Sequence, residues 1–242
     1  MKAKYKLISK TIFFPEKGIL AVGDLHLGYD RFLQEQGIII PFNQLEQSKK
    51  DLEKTIKEIS KKNKIKRIIL LGDVKHFFGF QKQELFDVRD FLEFLERFVD
   101  RENIILIKGN HEKFSISGYE FQDYFIDGEI AFVHGNKNFP EIFDKRIKTI
   151  VMGHMHPAIL LKDKNKIKKE KFKCFLVGDY KKKKIIVVPS FFPFIEGTEY
   201  YDKFLGEDFS IIPFKKLGNF ECFIIGKEKI YNFGKLKDIN KE

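Results

Sequence analysis

The sequence predicts an α/β fold: an open sheet with ligand-type residues at its strand ends, and a second sheet packed on the first. Three observations predict it. Strand-like apolar runs alternate with helix-like spacing from residue 4 to residue 156. Several of those runs end in glycine followed by Asp, Asn or His. After Pro157 the pattern changes to short β-like runs with no long helix. Open α/β sheets bind ligands beyond the carboxyl ends of their strands, so alternation and polar placement point to one architecture.

Residues 4–22 predict two or three short strands, with a turn near Pro15-Glu16-Lys17-Gly18. A short helix is expected over 29–36, closed by Gly37. Asn43 is a candidate N-cap. Beyond it Leu45, Leu52, Ile56 and Ile59 fall at helical spacing up to Lys62. Residues 65–71 read as a strand, and Leu85, Val88, Leu92, Leu95 and Val99 share one helical face. Strands are expected over 104–107, 130–133 and 147–152, with one or two helical turns over 139–146. Further β-like runs cover 158–161, 172–178, 185–188, 209–212 and 221–225. No composition break, linker or internal repeat divides the chain, so 1–242 is expected to be a single domain.

The 242 residues carry a formal net charge of +10, and 43% are hydrophobic, enough for a substantial core. Such a charge suits a polyanionic partner, although Lys and Glu enrichment also marks proteins from hot environments. Lysines crowd 162–184, many at alternate positions. That stretch reads as a solvated hairpin or as a basic strand face for phosphate backbones. Cys174 and Cys222 lie outside any CxxC pattern and read as core thiols in a reducing compartment. The amino terminus shows no signal-like stretch, and no run reaches membrane-spanning length. A soluble cytoplasmic protein without a membrane partner is expected.

The chemistry concentrates in five stretches. Gly23-Asp24-Leu25-His26-Leu27-Gly28 follows the apolar run Ile19-Leu20-Ala21-Val22. Residues two apart on a strand share a face, so Asp24 and His26 can reach one metal ion together. The others are Gly72-Asp73-Val74-Lys75-His76, Gly109-Asn110-His111-Glu112, Val133-His134-Gly135 and Gly153-His154-Met155-His156. All six histidines of the chain fall in these stretches. Carboxylate, imidazole and amide oxygen together suit hard or borderline first-row metals. The absence of nearby cysteine argues against a structural zinc site. The donors are too many for one metal with an open position, and a carboxylate is the natural bridge between two.

The ordered set GDxH, GDxxH, GNHE, VHG and GHxH resembles the calcineurin-like metallophosphoesterase superfamily. The resemblance implies a two-sheet α/β sandwich flanked by helices, with a dinuclear metal site at the carboxyl ends of strands. It implies that Asp24, His26 and His156 hold one metal, that Asn110, His134 and His154 hold the other, and that Asp73 bridges them. His111 would not bind metal but would face the phosphoryl group. Expected cofactors are two divalent metal ions per chain, Mn²⁺ first, with Fe²⁺, Co²⁺, Ni²⁺ and Zn²⁺ as the other candidates. The implied reaction is phosphodiester hydrolysis by in-line attack of a metal-bridging hydroxide.

His76 stands where many superfamily phosphatases have Asp, and it resembles the DNA-repair nuclease branches. There it would lie near His111 and help position substrate. GDLHLGYD, GDVKH, GHMHPAIL and PSFFPFIEG are together similar to the small phosphoesterases related to ligase- or helicase-associated DNA-damage endonucleases. The substrate implied is DNA or RNA, and the partner a helicase or ligase. This chain departs from that pattern at Val74 and at Phe192-Pro193-Phe194. Phe191, Phe192 and Phe194 read as core rather than a base-stacking wall. The alternatives are a phosphodiesterase or phosphatase on small nucleotides, and a non-catalytic scaffold. No loss of a motif residue favours the scaffold. Oligomeric state is not legible.

Overall fold

The computed structural model describes residues 4–38, 41, 43–77, 79, 82–111, 115–162, 168–193, 197–199 and 210–239. β1 (Lys6–Ile8), β2 (Thr11–Phe14) and β3 (Ile19–Val22) form an antiparallel meander. β4 (Arg67–Leu70), β5 (Ile104–Ile107) and β6 (Phe121–Gln122) continue the sheet in parallel, giving the order β1-β2-β3-β4-β5-β6. The central strands β2 to β5 are buried on both faces because both are covered, as parallel sheets require. Leu20, Val22, Ile68, Leu70 and Leu106 face one layer, while Ile19, Ala21, Ile69, Ile105 and Ile107 face the other.

The first layer is helical. α1 (Tyr29–Glu35) is short, and α2 (Gln44–Ser60) and α3 (Lys82–Glu96) are the long helices. The Asn43 side chain caps α2 by accepting from the Glu46 N–H at 3.0 Å. Leu52, Ile56 and Ile59 of α2, with Val88, Leu92 and Leu95 of α3, bury the helices on the sheet. Each such side chain contributes roughly 1.5–3 kcal/mol.

The second sheet contains β7 (Tyr124–Asp127), β8 (Ile130–Val133), β9 (Thr149–Met152), β10 (Pro157–Lys162), β11 (Lys169–Tyr180), β12 (Lys183–Val187), β13 (Thr198–Glu199), β14 (Glu221–Ile225) and β15 (Ile230–Lys235). Its order is β13-β10-β11-β12-β9-β8-β7, with β14 pairing β11 and β15. Ile130, Phe132, Val151, Phe175, Ile186 and Val188 pack against the inner face of the first sheet. The outer face is covered by Ile212, Leu236 and the single turn of α4 (Phe214–Leu217), so the long helices flank only the first sheet. Cys174 and Cys222 are buried free thiols in this outer layer. Among the described residues no helix is long and apolar enough to cross a membrane.

Two expectations change. Residue 209 lies outside the described residues, and 210–212 form a bend rather than a strand. Ile212 is fully buried there, so the apolar run marks burial, not pairing. The lysines of 168–184 do not form a uniform basic face. Lys173 Nζ donates to the Ser190 carbonyl (2.9 Å), Ser190 Oγ (2.8 Å) and the Phe192 carbonyl, and Lys183 Nζ donates to the carbonyls of Asp144 (2.6 Å) and Ile147 (2.8 Å). Residues 163–167 lie outside the described residues.

Candidate metal centre

Strand register gathers the five stretches. Val22 pairs with Leu70 and Leu70 with Leu106, so the chain leaves β3, β4 and β5 at one edge. Val133 pairs with Met152 in the second sheet, so β8 and β9 also end level. The turns that follow are tied together through backbone. Leu25 and His26 N–H donate to the Asp73 carbonyl at 3.1 and 2.9 Å, and the Gly153 N–H donates to the His134 carbonyl at 3.0 Å.

The donors leave the strands on bent backbone. β3 ends at Val22, so Asp24 and His26 converge across a turn rather than along a strand face. Seven non-glycine residues among those described have positive φ, and four of them are His26, Asp73, His154 and His156. Such conformations cost on the order of 1–3 kcal/mol each and gather at functional sites. Gly72 shows why glycine precedes Asp73: its φ is +95°, and a Cβ there would lie 2.5 Å from His134 Nδ1.

Among the described residues three groups of donors form, each with its atoms within 4.8 Å: Asp24, His26 and His156; Asp73, His134 and His154; and His26, Asp73 and His111. Asn110 joins the second, its Oδ1 3.0 Å from His134 Nε2. Asp73 lies between the groups, with Oδ2 3.4 Å from His134 Nε2 and 4.0 Å from His26 Nε2. Its Oδ1 accepts from the N–H groups of Asn110 (2.9 Å) and His111 (3.1 Å). Asp24 accepts from the His154 N–H at 3.0 Å and faces His156 Nε2 at 3.5 Å. His111 Nε2 is 3.7 Å from Asp73 Oδ2, so proximity alone does not separate it from the ligand types. Its Nδ1 hydrogen-bonds the His76 carbonyl, and the two rings lie 6.0 Å apart.

The cluster is charged and mostly buried, with Asn110, His154 and His156 at its half-buried rim. Burial pushes the Asp24 carboxyl up, but His156 and His134 outweigh it and hold it down to about 2. Asp73 is lowered in the same way: burial pushes it up, and His134, His26 and His111 together outweigh that push. Burial opposes a charge on His134, yet Asp73 and Asp24 raise it to about 9. Burial and His156 push His26 down to about 3. Burial also lowers His111 against the pull of Asp73.

The donors fit divalent metal. His26 Nε2 and His156 Nε2 face each other at 3.3 Å, and two ring nitrogens so placed share at most one proton. His26 Nδ1 is buried with no hydrogen-bond partner among the described residues. Imidazole nitrogens converging with carboxylate and amide oxygens are a mixed set for first-row cations.

Several supporting residues carry no sequence signal. Gln44, fully buried at the start of α2, donates to the carbonyls of Leu25 (3.0 Å) and His26 (2.8 Å). Lys75 and Glu84 are buried under the His76 turn, Lys75 donating to the Gly79 carbonyl at 2.9 Å and Glu84 accepting from the Phe77 N–H at 2.9 Å. Phe191 and Phe192 are fully buried, as expected of core, and their N–H groups donate to the Asp24 carbonyl at 2.9 and 3.2 Å. Phe194 lies outside the described residues.

Two sheets with an Asp/His/Asn donor cluster at their shared edge define a metal-dependent phosphoesterase by class. The chain belongs to the calcineurin-like phosphoesterase family, whose model matches residues 18–209, a span that holds every donor described above. Its fold is similar to that of nuclease MPE from Pseudomonas putida, with a TM-score of 0.61 and 17% identity over 95% of this chain and 100% of that one. A predicted phosphoesterase from Streptococcus pneumoniae matches at 10% identity and a TM-score of 0.36, covering 90% of this chain and 97% of that one. A Vps29 single mutant from Entamoeba histolytica matches at 13% identity and a TM-score of 0.35, covering 89% and 99%. No curated protein is a significant match.

Proposed function

We propose that the protein is a phosphodiesterase acting on nucleic acid with two divalent cations, Mn²⁺ first among the candidates. The observation that carries the reading is His111 Nε2, 3.7 Å from the Asp73 oxygen that both donor groups surround. That distance suits a ligand as well, and it is the tie of His111 Nδ1 to the His76 carbonyl, outside both donor groups, that supports a role on the phosphoryl group. Similarity of fold to a protein named as a nuclease, the net charge of +10 and His76 support a polynucleotide substrate.

Asp24, His26 and His156 would hold one ion, and Asn110, His134 and His154 the other, with Asp73 shared. The ions, when bound, supply Lewis acidity to the phosphoryl oxygens and lower the pKa of the attacking water. His111 does the rest of the proton work. Its Nδ1–H is spent on the His76 carbonyl, so Nε2 is the nitrogen that exchanges a proton, and it carries one only in the doubly protonated ring. As the deprotonated water oxygen bonds to phosphorus and the ester bond breaks, the leaving alkoxide takes that proton. The His76 ring, 5.8 Å from His26, lines the approach and positions the substrate.

The test compares bis-p-nitrophenyl phosphate with the mono-ester, with Mn²⁺ and with chelator, and then single- and double-stranded oligonucleotides. Manganese-dependent diester cleavage well above mono-ester cleavage, with shortened oligonucleotides, is expected. Mono-ester cleavage alone would move the protein to the phosphatases. Small diesters cleaved with every oligonucleotide left intact would overturn the nucleic-acid substrate.

A further inference from the structure

α1 is unusual among the helices: it has no buried residue. Its two aromatic side chains, Tyr29 and Phe32, are half-buried and turn onto the edge of the donor cluster instead of into the core. The Tyr29 ring lies 4.7 Å from His76 and 5.0 Å from Phe192, both nearly edge-on. The Phe32 ring lies 5.1 Å from His76. The two rings are 5.8 Å apart and inclined by only 30°, and Phe32 also meets the Phe77 ring at 5.4 Å, so the aromatic edge runs on from the donors as a shelf of neighbouring rings. His76 and Phe192 in turn touch His26, at 5.8 and 6.1 Å, so the shelf begins where the donors end.

Such a surface is poorly explained as packing. Core aromatics in this chain, such as Phe91, Phe132 and Phe191, are fully buried. α1 is fastened by polar contacts, with Gln44 Oε1 accepting from the Tyr29 N–H at 3.0 Å and Arg31 paired with Asp87 at 2.8 Å. The rings are therefore held in place while only half-buried. A phosphate seated among the donors would bring its nucleoside toward this edge. Flat π-faces beside a phosphate site suit a nucleobase of any sequence.

We propose that Tyr29 and Phe32 form a nucleobase-stacking shelf for the nucleoside attached to the scissile phosphate, an inference that rests on the phosphodiesterase reading above. The substrate class it selects is a nucleoside diester over a simple alkyl diester.

Thymidine 5′-(p-nitrophenyl phosphate) and ethyl p-nitrophenyl phosphate share a leaving group and differ in the nucleoside. In the wild type kcat/KM should favour the thymidine ester, and Phe32→Leu should reduce that preference roughly 10-fold, with Tyr29→Leu acting in the same direction. An unchanged preference in both variants would overturn the shelf. A second readout is independent of turnover. The chain has no tryptophan, so Phe32→Trp introduces a single reporter. With Mn²⁺ bound, thymidine 5′-monophosphate should quench it and methyl phosphate should not. Quenching without hydrolysis of either ester would sink the phosphodiesterase reading and keep the shelf. Hydrolysis without selective quenching would do the reverse.

Discussion

Asp73 shows how much one side chain carries. Its Oδ1 is fixed by the N–H groups of Asn110 and His111, and its Oδ2 faces His134, His111 and His26. Asp73→Asn keeps the shape and removes the charge that both donor groups share. Metal content after gel filtration should fall for both ions together, and a full complement would contradict the bridging role. His111→Ala tests the neighbouring assignment. It should lower diester turnover by about 10²–10⁴-fold, the usual contribution of a positioned proton donor, with metal content unchanged. Loss of metal in that variant would make His111 a ligand, an arrangement that its distance from His26 and Asp73 permits.

The elements deliver donors through turns, and the turns depend on their neighbours. Lys173 on β11 reaches three acceptors in 190–192, and the N–H groups of Phe191 and Phe192 hold the Asp24 carbonyl. Lys173→Met leaves buried acceptors without a donor, at a cost of about 1–3 kcal/mol. Its thermal midpoint should fall and manganese should bind more weakly in calorimetry; a variant with lowered stability and unchanged affinity would show that the strut does not reach Asp24. This strut also marks what was legible in the sequence. Apolar runs read β3, β4, β5, β8 and β9 correctly, because each is buried on both faces and its ligand residues follow at once. Asn43 gave the start of α2, because capping is local. Lys173 read as one of a solvated series, since nothing in an alternating lysine run says which member turns inward. β15 was missed because most of its residues are exposed and carry no burial pattern. Tyr29 and Phe32 carry only a helical signal, since helical spacing does not show that a helix lies against a neighbouring turn.

At the scale of the molecule, the donor cluster is also a seam. Asp24, His26, Asp73 and Asn110 follow strands of the first sheet, while His134, His154 and His156 follow strands of the second. The sheets already share a dry core, from Ile12 and Ile69 on one side to Phe132 and Ile186 on the other. Cations held by both donor sets would cross-link them at the open edge, adding stability only in the folded state. Free metal at about 100 times its dissociation constant should then add roughly 2.7 kcal/mol per site. For a chain of this length each kcal/mol moves the thermal midpoint by about 2–4 °C. Chelation should therefore lower the midpoint by roughly 5 °C or more for each ion lost. The sharper signature is spatial. Hydrogen exchange should quicken in the turns 23–28 and 153–156 together, because one bound pair secures both. Faster exchange in one turn alone would mean that the metal is held by one sheet, and the seam would then depend on the apolar core without it.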